Sequence, residues 1–143
     1  MNKKLKIGFI CTENSARSQI AEAYAKYFTK LYKKNIEVYS AGSNPSSHIH
    51  PFTFKVLKEE GLYVKDQFPK SLEQIPYKDL DLIITLCEKA SQNCPYIPNA
   101  KFEHWNLPDP TKESDPKKQL QIFRKIRDII KKKTDELIKS LPD

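Results

Sequence analysis

A chain of 143 residues, 38% apolar and 30% charged, is the size of one soluble globular domain, residues 1–143, and has no apolar run long enough to cross a membrane. The net charge of +7 raises nucleic acid as a partner, but the lysines (Lys26, Lys30, Lys33 and Lys34, then Lys117, Lys118 and Lys131 to Lys133) are spread over predicted helices and read as solvated surface. An odd cysteine count, no signal-peptide pattern and dispersed His48, His50 and His104 argue against a disulfide framework and a zinc site, so a cytoplasmic monomer is expected.

Residues 5–10 predict a short buried strand. From Ser18, the positions Ile20, Tyr24, Tyr27, Phe28 and Leu31 fall on one helical face. Glu37 to Ser40 predicts a second strand, ended by Ala41-Gly42. Pro51 is suited to a helix start, Phe52, Val56 and Leu57 give that helix its buried stripe, and Gly61 stops it. Residues 62–79 read as loop with a short turn. Leu80 to Leu86 is the most apolar run and predicts a central strand ending at Cys87. Lys101 to Trp105 predicts a further strand, and residues 106–116 a proline-marked loop. Leu120, Phe123, Ile126, Ile130 and Leu137 mark a long C-terminal helix coated with lysine. This order implies an α/β fold, an open four-stranded parallel sheet with helices on both faces, whose ligands bind beyond the carboxyl ends of the strands.

Cys11, Cys87 and Asp109 all follow predicted strands. The loop Cys11-Thr12-Glu13-Asn14-Ser15-Ala16-Arg17-Ser18 joins a strand to a helix, with five residues between thiol and guanidinium. Its backbone N–H groups and the helix start can line an oxyanion site, with Arg17 as a planar fork for two oxygens. The helix start, Arg17 and the hydroxyls of Ser15 and Ser18 would each favour a Cys11 thiolate. Asn14 is suited to hold the loop in a left-handed turn. Read blandly, Cys11 is a buried strand-end cysteine and Ser18 a helix cap.

Cys11 to Ser18 followed by Gln19-Ile20-Ala21-Glu22 resembles the phosphate loop of low-molecular-weight protein tyrosine phosphatases and of thioredoxin-coupled arsenate reductases, which share a fold. Tyr39-Ser40-Ala41-Gly42, Leu82 to Cys87, Cys94-Pro95, Glu103-His104-Trp105 and Asp109-Pro110 extend the resemblance along most of the chain. Both families imply a cysteine nucleophile, at Cys11, and an aspartic general acid, at Asp109. The phosphatases typically follow that acid with tyrosines; here Thr111-Lys112 follows, and Ala16 replaces a second loop cysteine common among them. Cys87 and Cys94 match the redox pair of the reductases.

The resemblance therefore implies reduction of arsenate to arsenite, with weak phosphatase activity as a side reaction. Cys11 captures the oxyanion, a Cys11–Cys87 disulfide forms, and Cys94 moves it to Cys87–Cys94, which thioredoxin reduces. The alternatives are a phosphatase acting on phosphotyrosine or small aryl phosphates, and a non-catalytic anion-binding or redox-sensing module. If residues 87–94 were one regular helix, the two Cα atoms would lie roughly 10 Å apart. A disulfide tolerates only about 4.4–6.8 Å, so residues 88–93 are expected to unwind during the relay. Glu13 stands where the family often has glycine and is expected to face solvent. Asn14, Glu22 and Ser40 match positions that bind a monovalent cation in some relatives and would hold at most a weakly bound potassium here, since Tyr63 stands at an associated aspartate; no other cofactor is expected, and Glu22 should brace the helix against the loop.

Overall fold

The computed structural model describes residues 4–88, 90 and 95–142. Strands β1 (Leu5–Cys11), β2 (Ile36–Gly42), β3 (Leu82–Thr85) and β4 (Lys101–His104) form one parallel sheet in the order β2-β1-β3-β4. The long helices are α1 (Arg17–Leu31), α2 (Pro51–Glu59) and α3 (Pro116–Ser140), with short 3-10 turns at Leu72–Gln74, Tyr77–Asp79 and Pro110–Lys112. The predicted four-stranded parallel sheet is the one observed, but among the described residues the three long helices share one face, and the other, expected to carry helices too, is covered chiefly by 3-10 turns and loops.

Alternation along the strands explains the two cores. Ile7, Phe9, Val38, Leu82 and Ile84 point to the face that carries the three helices, where they meet Ile20, Val56 and Phe123. Ile10, Ala41 and Ile83 point to the other, where Ile75, Tyr77, Leu80 and Cys87 cover them. Both central strands, β1 and β3, are buried along most of their length, whereas all four residues of the edge strand β4 are exposed.

The helix boundaries follow local chemistry. The ring Nδ1 of His50 accepts from Phe52 N at 3.0 Å and Pro51 opens α2. Asp115 caps α3 by accepting from Lys118 N at 3.0 Å. Gly61, at φ 80°, closes α2 in the left-handed region. Helix α1 departs from expectation in two ways. Tyr27 and Leu31 are exposed, because Ala21 and Ala25 are fully buried and turn the packed face toward their side of the helix. Ser18 lies inside the helix rather than capping it; the N-cap position is Ala16, which has no side chain to offer.

The carboxyl edge of the sheet is where the chain crowds. A Cβ added to Gly42 would lie 2.4 Å from Thr12 O and 3.0 Å from Asn14 N. Only glycine at the end of β2 lets the loop after β1 fold this closely across the strand end.

Candidate active site

The loop that follows β1 is held from outside by its carbonyl groups. Cys11 O, Thr12 O and Glu13 O accept from Ser43 N, Asn44 N and Ser46 N at 3.2, 2.8 and 3.0 Å. Asn14 O accepts from Gln19 Nε2 at 2.9 Å, and Ser15 O from both His50 N at 3.1 Å and Thr53 Oγ1 at 2.8 Å. With its carbonyls turned outward and engaged, the loop turns N–H groups toward the cavity side, where the Thr12 N–H meets Cys11, an arrangement that binds anions. Asn14 makes the turn possible, at φ 53°. Its Nδ2 donates to Ser18 Oγ at 2.7 Å and Ser40 Oγ at 3.0 Å, and its Oδ1 accepts from Lys70 N at 2.9 Å.

A cavity of about 570 Å³ opens over this loop, and Cys11, Arg17, Cys87 and Asp109 all line it. Four side chains separated by up to 98 positions in sequence thus share one site. Cys94 and the expected unwinding of 88–93 lie outside the described residues. Glu13 is exposed at the cavity mouth, as expected. Asn44, Glu88, Asn106 and Lys112 line it as well, with Leu107 and Ala16 the apolar members, and among the described residues no aromatic side chain lines the cavity.

Arg17 is only 7% exposed, and its nitrogens divide their work. Nη1 donates to Leu86 O at 3.0 Å and to Leu107 O at 2.8 Å, joining the end of β3 to the loop that carries Asp109. Nη2 lies 3.8 Å from Asp109 Oδ2. With Nη1 used by the fold, Nε and Nη2 remain as the edge of the guanidinium that can grip two oxygens of an anion.

The two thiols act as a pair. Cys11 and Cys87 are both buried and reduced, and Thr12 Oγ1 lies 3.2 Å from Cys87 Sγ. Cys87 is held down to about 5, chiefly by its hydrogen bond with Cys11, then by Thr12, the Ala90 N–H and the Arg17 charge, against burial. Cys11 is pushed well above the ordinary thiol range by that same hydrogen bond and by burial, with Arg17 opposing. The two thiols titrate as a coupled pair, in which the proton of one steadies the other as a thiolate and the Arg17 charge favours the negative form. Ser18 Oγ accepts from Asn14 Nδ2 and keeps its own O–H to donate.

Glu22 is 3% exposed and ties α1 to β2 and to Lys70 rather than directly to the loop, which reaches it only through the Asn14 bond to Ser40. Ser40 Oγ donates to it, Lys26 Nζ pairs with it at 2.5 Å, and Lys70 Nζ stands 3.7 Å away. Lys70 had no sequence signal, since it approaches from a loop 48 residues downstream. Its ammonium sits where a dissolved cation would have to reach Glu22, and Asn14 Oδ1 is already shared by Lys70 N and Gln19 Nε2. Tyr63 is 69% exposed. These residues do not fit a bound monovalent cation.

The model of the low molecular weight phosphotyrosine protein phosphatase family matches residues 6–143. The arsenate reductase of Halalkalibacterium halodurans is 38% identical over 135 residues, covering 93% of this chain and 94% of that protein. The structure of an arsenate reductase in the phosphate-binding state superposes with a TM-score of 0.79 at 31% identity, covering 96% of this chain and 99% of the other. A thioredoxin-dependent arsenate reductase of Corynebacterium glutamicum gives 0.75 at 31% identity, over 97% of this chain and 62% of that one.

Proposed function

The chain belongs to the low molecular weight phosphotyrosine protein phosphatase family, and we propose that it works there as an arsenate reductase, converting arsenate to arsenite. The observation that carries this reading is Cys87. A phosphatase needs one nucleophilic thiol and water, whereas a second buried free thiol lining the same cavity as the first is what reduction of a thiol adduct requires. The mainly polar cavity supports the same conclusion, since among the described residues no aromatic side chain lines it to stack on an aryl group.

The chemistry follows from the geometry. Arsenate sits on the loop N–H groups with Arg17 across two of its oxygens. Cys11 attacks arsenic as the thiolate, the proton of the pair passing to Cys87; the S–As bond forms and one As–O bond breaks. That oxygen leaves as water with a proton from Asp109. Cys87 then attacks the Cys11 sulfur, its proton passing to an oxygen of the departing arsenite. The S–S bond forms as the S–As pair of electrons stays on arsenic, which passes from As(V) to As(III) and leaves as arsenite. Cys94 attacks Cys87, restoring Cys11 and producing the Cys87–Cys94 disulfide. A thioredoxin-type dithiol reduces that pair, a route supported by the dithiol economy of three cysteines and by the thioredoxin-dependent relative. The enzyme acts as a monomer with no bound cofactor.

The test is arsenite production with thioredoxin, thioredoxin reductase and NADPH, set beside hydrolysis of p-nitrophenyl phosphate by the same preparation. Thioredoxin-dependent arsenite release is expected, with phosphatase turnover slow. Fast aryl phosphate hydrolysis without any arsenite would make the protein a phosphatase.

Lys70 supplies the positive charge that Glu22 needs, so the reaction should not depend on potassium. Exchanging potassium for tetramethylammonium at constant ionic strength is expected to change kcat/KM by less than about twofold. A tenfold potassium activation would return Glu22 to the role of cation ligand.

A further inference from the structure

The two oxygens of the Asp109 carboxyl have different surroundings. Oδ1 accepts from Thr111 N at 2.9 Å and from Thr111 Oγ1 at 2.7 Å. Oδ2 faces Arg17 Nη2 at 3.8 Å, on the anion side of the cavity. Asp109 also opens the short 3-10 turn Pro110–Lys112, so the backbone N–H contact alone has a capping role. The hydroxyl contact is a further one, made by a side chain that itself lines the cavity.

We infer that Thr111 is a positioning residue for the reaction: its hydroxyl saturates Oδ1 of Asp109, so the transferable proton must ride on Oδ2, the oxygen turned toward the bound oxyanion. An oxygen that already accepts two hydrogen bonds is a poor place for a proton, and a carboxyl pinned at one oxygen cannot rotate its proton away from the departing atom. The step that benefits is cleavage of the As–O bond. The Oδ2 proton passes to the departing oxygen, the bonding pair goes with that oxygen, and Asp109 is left as carboxylate. Valine at 111 would keep the β-branched shape and the backbone N–H but leave Oδ1 with one donor and the carboxyl free to turn.

This inference rests on Asp109 being the acid of the proposed reaction, and a double-mutant cycle separates the two. In single-turnover arsenite release, Asp109→Asn is expected to be slowed by about a hundredfold. Thr111→Val is expected to lower kcat by about tenfold with KM for arsenate within about twofold, and Thr111→Ser to recover most of the rate. In the Asp109→Asn background, Thr111→Val should cost nothing more, because the hydroxyl acts through the carboxyl it holds. If Asp109→Asn keeps the wild-type rate, the acid assignment itself fails. If Asp109→Asn is slow but Thr111→Val is as fast as wild type, the positioning role fails alone. Equal losses in both backgrounds, or a raised KM at unchanged kcat, would overturn it by showing a packing or substrate contact instead.

Discussion

A Cys87→Ser protein is expected to lose multiple-turnover arsenate reduction by more than about a thousandfold, while Cys11 becomes easier to alkylate at low pH. The first effect follows from the relay, because serine cannot form the disulfide that pulls arsenic to As(III). The second tests the pairing of the two thiols. In the wild type, Cys11 is raised first by its hydrogen bond to Cys87 and then by burial. A serine hydroxyl at 87 donates to a Cys11 thiolate and carries no charge of its own, so the Cys11 pKa falls while Arg17 continues to favour the thiolate. In a Cys94→Ser background, ultraviolet thiolate absorbance should show one thiolate per molecule forming with a midpoint near the Cys87 value of about 5. The sign is unambiguous: that charge is present above the midpoint and lost as pH drops through it. Iodoacetamide alkylation of Cys11, located by mass spectrometry, should then begin at lower pH in Cys87→Ser than in the Cys87-containing protein. An unchanged alkylation profile would mean that the sulfurs do not share a proton, and retained turnover would remove Cys87 from the chemistry.

The parts of this site that could be read in the sequence are those in which one residue type has few alternatives. A cysteine and an arginine bracketing a strand-to-helix turn have little else to do, and Asp109 before Pro110 marks a turn at the same edge. Cys87 could be placed because the run before it is too apolar to be anything but a central strand. What remained hidden are contacts made by long, common side chains or by backbone. Lys70 is one of many lysines in a chain of net charge +7, and nothing local distinguishes the one that reaches a buried carboxylate. The Leu86 and Leu107 carbonyls that hold Arg17 have no side-chain signature at all. Gly42 was legible as part of a pattern but not as a requirement, since the reason is the 2.4 Å approach of Thr12 O in three dimensions. The pairing of the thiols was hidden for the same reason: loop chemistry describes Cys11 by itself, while a neighbour 76 positions away shifts its titration.

Arg17→Lys is the second substitution with a large expected effect, and it should damage stability and catalysis by separate routes. Arg17 is buried, and its Nη1 satisfies two main-chain carbonyls at 3.0 and 2.8 Å. A lysine ammonium is a compact donor that cannot span both carbonyls and still face the anion. A buried carbonyl left without a donor costs about 1–3 kcal/mol, so a loss of roughly 2–4 kcal/mol is expected, or roughly 5–15 °C in Tm for a chain of this size. For catalysis, the Nε and Nη2 edge is lost as a fork. Lysine restores charge but at most one of two charge-assisted bonds to the oxyanion, each worth about 1.5–3 kcal/mol, so kcat/KM should fall about 10–10²-fold. Phosphate protection separates the routes. Inorganic phosphate should raise the Tm of the wild type as it fills the loop, and should raise that of Arg17→Lys much less at the same concentration. A variant with wild-type Tm would deny the carbonyl bridge its structural part, and one with kcat/KM within threefold would deny the guanidinium its grip on the oxyanion. The prediction joins fold to chemistry at one residue: the nitrogen that Arg17 gives to the β3 edge and the Asp109 loop is what fixes the direction in which its other two can act.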